Sequence, residues 1–152
     1  NIIAITIKMA ETDLLCYRAK EPPELVNQQD KAWEPELEWI KKEFEAHLKV
    51  TNEILPIVQP ELSLLALDKF LRKLDDFALM GVSNVSAITG SLVLALSLLK
   101  GRLNANEVFK KSVLEEKFQI EQWGEDEEAI RRHHHIRSEI MESEKFLNLL
   151  EK

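Results

Sequence analysis

A single thiol, Cys16, rules out any disulfide within the chain, and no Cys/His spacing of the zinc type occurs, so a reducing compartment is expected. Four glycines and five prolines are too few for a turn-rich β-sandwich; Leu, Glu, Lys and Ala dominate instead, which is the composition of helices. There is no phosphate-binding loop, no dinucleotide glycine fingerprint and no nucleophile elbow, and no cofactor is expected. Positive charge is also short. Twenty Lys and Arg face 27 Asp and Glu, a net charge of -7, which argues against a nucleic-acid backbone or an anionic membrane surface as the main partner. The acidity is compatible with a basic protein partner, but in most soluble acidic domains it serves plain solubility alone. With 45% apolar and 31% charged residues over 152 positions, the chain can bury one core and form one domain, residues 1–152.

Charge is missing altogether from Phe77 to Leu99, between Asp75-Asp76 and Lys100-Gly101-Arg102. About 20 apolar residues suffice to cross a bilayer. This run, however, contains Ser83, Asn84, Ser86, Thr89, Ser91 and Ser97, whose polar groups are satisfied more cheaply by neighbouring helices than in lipid. One central helix, residues 77–99, buried on several faces is the expectation, without membrane insertion.

On either side of it the pattern is helical. The opening Ile2–Met9 run reads as strand or helix, since its β-branched alternation and its Ile2, Ile5, Met9 stripe support different answers. The run begins at Asn1, already apolar, as the C-terminal piece of a longer chain would. Pro22-Pro23 stops what precedes it and can start a helix, whose stripe is Leu25, Val26, Trp33, Leu37, Ile40 and Phe44, with Pro35 expected to kink or split it. Leu48–Pro60 reads as an extended connection, followed by a helix over Leu62–Leu74. Asn104 and Glu107 make a capping box, with Leu103 stapling onto Val108, and the helix they start carries Phe109, Val113, Ile120 and Trp123 in its stripe. Gly124 closes that helix, and Glu125-Asp126-Glu127-Glu128 opens the last one. The fold class is all-α, with antiparallel helical packing around the buried 77–99 helix.

Few residues point to chemistry. His133, His134 and His135 sit at adjacent helical positions about 100° apart and cannot converge on one metal ion. His133 falls on the apolar stripe as a hydrogen-bonded histidine of the core or an interface, while the other two are expected in solvent. Cys16 is a nucleophile only with a histidine beside it, and otherwise a small packed residue. The carboxylate pairs Glu115-Glu116 and Glu125-Asp126 can do acid–base work, form a solvated face, or meet a cationic partner. Trp33, Trp39 and Trp123 read as core or as anchors for a partner.

Four strings in order carry a resemblance across Glu11 to Ala129. They are Glu11-Thr12-Asp13-Leu14-Leu15-Cys16-Tyr17-Arg18-Ala19 with Glu21-Pro22-Pro23-Glu24-Leu25-Val26; Trp33 with Pro35; Thr89-Gly90-Ser91-Leu92-Val93-Leu94-Ala95-Leu96; and Phe118-Gln119-Ile120-Glu121-Gln122-Trp123-Gly124-Glu125-Asp126-Glu127-Glu128-Ala129. They resemble the helical domain of the assembly chaperones for the alpha subunit of the F-type ATP synthase catalytic head, found in mitochondria and alphaproteobacteria. The resemblance implies a non-enzymatic, ATP-independent chaperone that binds the unassembled alpha subunit and shields its beta-facing surface. It further implies a β-rich N-terminal domain outside this chain, and a location in the alphaproteobacterial cytoplasm or the mitochondrial matrix. A monomer is expected. The contact surface is expected at Glu115, Glu116, Gln119, Gln122, Glu125 and Asp126, with Trp123 as anchor or brace; the alternative is that Trp123-Gly124 only locks a helix corner. A generic helical interaction module, or an enzyme using Cys16 or a carboxylate pair, are the rival readings.

Overall fold

The computed structural model describes residues 1–150, which form eight α-helices. Ile2–Glu11 is a helix, α1, which resolves the strand-or-helix ambiguity of its pattern. The Asn1 side chain accepts the amide of Ile3 at 2.9 Å and so caps it. A 3-10 turn, Leu14–Cys16, leads to α2, Pro23–Phe44. Pro23 occupies the first turn of α2, where its missing N–H costs nothing. Pro35 lies inside α2 and does not divide it into two helices.

The connection 45–60 holds no helix and is pinned at its base. Ser63 Oγ accepts the His47 amide at 2.8 Å and donates to its carbonyl at 3.0 Å. Gln59 bonds both the amide and the carbonyl of Lys49, and Thr51 pairs in a parallel bridge with Tyr17. Then follow α3, Glu61–Arg72, and α4, Asp76–Thr89.

The charge-free run is two helices, a correction to the single 77–99 helix. Gly90 takes φ +76°, a left-handed conformation that ends α4, and Ser91 starts α5, Leu92–Leu99, by accepting the Leu94 amide at 3.1 Å. Glycine followed by serine is a stop followed by a start, and the absence of charge hides it. Every residue from Leu92 to Leu98 is buried, and α5 packs against α1, α2, α4, α6 (Ala105–Ser112) and α8 (Glu127–Leu150). The central position expected for this segment belongs to α5. At Gly81, α4 approaches α8 so closely that a Cβ would stand 2.8 Å from Leu147 Cδ2.

The break between α4 and α5 is held by a buried carboxylate. Asp13 is fully buried; its Oδ1 accepts the Leu15 amide and its Oδ2 the Val93 amide, both at 3.1 Å, while the Leu14 amide donates to the Gly90 carbonyl at 2.9 Å. Burial is the main influence on Asp13 and raises its pKa to about 6, against the opposing effect of these amides.

The capping box at the start of α6 is present in both directions, Glu107 amide to Asn104 and Asn104 amide to Glu107, each at 2.9 Å. Leu103 and Val108 are both in the core, as the staple requires. The stripe beyond it is not one helix: at Val113 the chain steps from α6 into α7, Leu114–Trp123. Gly124 at φ +94° then turns the chain toward α8. Among the described residues no helix is long and apolar enough to cross a membrane.

Candidate functional site

The residues expected to meet a partner all lie on α7 and the corner that follows it. Only Phe118 of α7 is buried, so this helix touches the body of the protein along a narrow line, chiefly at α2. Glu115, Glu116, Gln119, Gln122, Trp123, Glu125 and Asp126 are all exposed. The structure therefore brings them onto one solvent-facing region, but they are not equally free.

Glu116 is engaged. Its Oε2 accepts from Arg132 Nη2 at 2.8 Å and lies 2.7 Å from His133 Nε2, tying α7 to α8. Partial burial alone would raise the Glu116 carboxyl, yet hydrogen bonds from Arg132 and His133 outweigh it and hold the group below the usual carboxylate range. His133 also stands edge-on to Phe109, with ring centroids 6.1 Å apart. It is the hydrogen-bonded interface histidine of the sequence reading, whereas His134 and His135 are exposed. Glu115 Oε1 accepts a long 3.4 Å bond from Gln29 Nε2, and Asp126 caps α8 by accepting the Ala129 amide at 2.7 Å. Gln119, Gln122 and Glu125 have no side-chain hydrogen bond among the described residues.

The tryptophans separate cleanly. Trp33 is core, donating Nε1 to the Lys111 carbonyl at 2.9 Å, and Trp39 is half-buried against Phe44. Trp123 is 84% exposed, which corrects any reading of it as core. An indole this open is rarely there for stability. It lines a shallow groove of about 250 Å³ together with Glu116, Gln119, Ile120, Asp126 and Arg132. A groove this small and open suits a protruding side chain of a protein better than a metabolite.

The residues named for the enzyme reading are placed as follows. Burial pushes the Cys16 thiol up to about 12, and the nearby Asp13 charge adds to the rise, so the nucleophilic thiolate is negligible at neutral pH. Asp126 is a helix cap and Glu116 a clamp on Arg132 and His133, so neither pair forms two free carboxyls facing a common cavity.

A second exposed feature escaped the sequence reading. The tip of the 45–60 connection carries Ile54 at 99% and Val58 at 86% exposure, and Leu62, at the start of α3, is 81% exposed. The available signal was an apolar run, Ile54, Leu55, Ile57 and Val58, with no helical period and two prolines to keep it out of a packed helix.

Comparison with known proteins gives a consistent answer. The family model described as ATP12 chaperone protein matches residues 1–41. The crystal structure of Atp12 from Paracoccus denitrificans superposes with a TM-score of 0.94 at 34% identity, over 97% of this chain and 64% of that one. A point mutant of the same protein gives 0.95 at 34% identity, over 97% and 63%. The Atu1473 protein of Agrobacterium tumefaciens gives 0.86 at 31% identity, over 96% and 55%. The chain thus spans somewhat less than two thirds of the length of these relatives.

Proposed function

Since the chain belongs to the ATP12 chaperone family, we propose that it serves as an ATP-independent assembly chaperone, holding the unassembled alpha subunit of the F-type ATP synthase catalytic head. It covers the surface of alpha that later meets beta, and gives it up during assembly. An orphan subunit that exposes a large apolar interface aggregates, and a reversible protein cover prevents this without chemistry. The role is non-enzymatic, and the chain acts as a monomer, in the cytoplasm of an alphaproteobacterium or in the mitochondrial matrix.

The observation that carries this reading to a surface is Trp123, which stands 84% exposed amid Gln119, Gln122 and Glu125, whose side chains make no hydrogen bond among the described residues. A large aromatic surrounded by polar groups is the usual anatomy of a binding anchor with its rim. Glu115, Glu116 and Asp126 extend the acidic border, and a basic patch on the client is the complementary chemistry. Because Glu116 also ties α7 to α8, its contribution to binding is mixed with a structural one.

The test is co-expression with the ATP synthase alpha and beta subunits of the same organism. Selective capture of lone alpha is expected, and Gln122→Lys with Glu125→Lys, or Trp123→Ala, reduces it while the thermal melt is unchanged. Capture of neither subunit, or full capture by these variants, would overturn the assignment.

A further inference from the structure

A groove of about 530 Å³ opens between the C-terminal end of α2 and the outer face of α3, away from the α7–α8 corner in sequence. Its floor is apolar. Phe44 and Phe70 meet edge to face with centroids 4.8 Å apart, and Leu62 and Leu65 line the α3 side. Both leucines are exposed, and they follow the exposed Ile54, Leu55 and Val58 of the preceding connection. Single exposed apolar residues are ordinary, but five within a dozen positions are not.

The rim carries charge of the unexpected sign. Lys69, Lys73 and Lys100 border the groove in a chain whose net charge is -7. None of the three forms an ion pair among the described residues; the neighbouring Arg72 is instead paired with Asp68. Lys100 Nζ stands 5.0 Å from the centroid of Phe70 and 5.9 Å from that of Phe44, which holds an ammonium over the floor before any partner arrives. Glu43 and Glu45 mark the opposite, α2 end.

We infer that this groove docks an amphipathic client segment, its apolar side chains seated on Phe44, Phe70, Leu62 and Leu65 and its carboxylates meeting Lys69, Lys73 and Lys100. Seating an apolar face in a groove supplies affinity, and the lysines select acidic over basic segments. Glu43 and Glu45 repel carboxylates from the α2 end, so the polarity of the rim fixes the direction in which the segment lies. This surface deepens the chaperone reading, which supplies the client, but it is distinct from the Trp123 corner and opposite to it in charge.

The experiment uses two fluorescein-labelled helical peptides of about 15 residues, both with leucines on one face and with either glutamates or lysines on the other. Fluorescence anisotropy is expected to show the acidic probe binding at least about tenfold tighter than the basic one. Lys69→Glu with Lys73→Glu should abolish or invert that preference, and Leu62→Asp should weaken both probes by about tenfold. All three positions are on the surface, and thermal melts check that the variants fold. Equal binding of the two probes, or binding indifferent to Leu62→Asp, overturns the inference. So does self-association that Leu62→Asp abolishes, or binding of phosphatidylserine vesicles but not of the peptides; these would assign the groove to a second copy or to lipid. Probe binding without capture of alpha would overturn the proposed function and leave the groove standing, and capture without probe binding would do the reverse.

Discussion

Helices α5 and α7 have similar lengths, 8 and 10 residues, and follow one another in the chain with only α6 between them. In α5 every residue but the last is buried; in α7 only Phe118 is. Each α5 side chain is therefore constrained by neighbours on all sides, and its sequence is explained by packing. On α7 the body of the protein packs around Phe118 and holds Glu115 and Glu116 by side-chain bonds, and no packing or hydrogen bond among the described residues dictates Gln119, Gln122 or Trp123. The contrast separates a helix explained by packing from the helix proposed for recognition.

The largest effect expected from that contrast is on the α5 side. Leu94→Ala should destabilise by about 2–5 kcal/mol in denaturant melts, because a fully buried leucine leaves a cavity that five surrounding helices cannot readily fill. The equivalent truncation on α7, Trp123→Ala, should move stability by less than about 0.5 kcal/mol. A large loss there would mean that the corner braces the fold, and the comparison would fail.

Next in size is Asp13, the carboxylate that holds the N-terminus of α5. Its native pKa of about 6 lies above the ordinary aspartate value of 3.8, so between those values the folded state binds more protons than the unfolded chain. Stability from this group is accordingly present in full below about pH 4 and falls as pH rises through about 6, by about 3 kcal/mol over the interval. Asp13→Asn should flatten that slope in pH-dependent melts. At neutral pH it should also cost about 1–3 kcal/mol, since an amide nitrogen would face one of the two backbone N–H donors. Glu116 has the opposite sign. Its lowered pKa gives stability above the ordinary carboxylate range that is lost on acidification, and solvent exposure limits it to about 0.5 kcal/mol.

Two smaller effects sharpen the contrast further. Gln122→Lys with Glu125→Lys should leave the melt within about 0.5 kcal/mol while reducing client capture by about tenfold, separating recognition from stability. Ser97 Oγ is the one buried side-chain oxygen or nitrogen among the described residues without a hydrogen-bond partner. Ser97→Ala should therefore stabilise by up to about 1 kcal/mol, a gain no substitution on α7 can match by this route.

How much of this could be read from the chain differs by element. The all-α class, the Asn104–Glu107 capping box, the Pro22-Pro23 start and the Gly124 stop were legible because each is a local rule carried by a few adjacent residues. The Gly90-Ser91 break was locally encoded too, but uniform hydrophobicity on both sides concealed it. The split at Val113 has no glycine or proline to mark it; the Ser112 hydroxyl donates to the Phe109 carbonyl there, a bond serine also makes within unbroken helices. The α7 surface was legible as a string, yet Glu116 pairing with Arg132 and His133 was not, since that pairing depends on how α8 folds back after the corner. The lysine-rimmed groove was hidden for a related reason. Its residues come from α2, α3 and the end of α5, and no window of sequence contains them together.

The bond from the Val93 amide to Asp13 spans 80 residues. Helix α5 is thus closed at its N-terminus by a segment synthesised long before it. Until α1 and its following turn dock, the Val93 amide lacks its carboxylate partner, which couples closure of α5 to a contact distant in the chain. Folding speed should consequently respond to changes around residue 13 even where the final contacts survive, so α1 and its following turn act as a clasp on the core and not as an appendage.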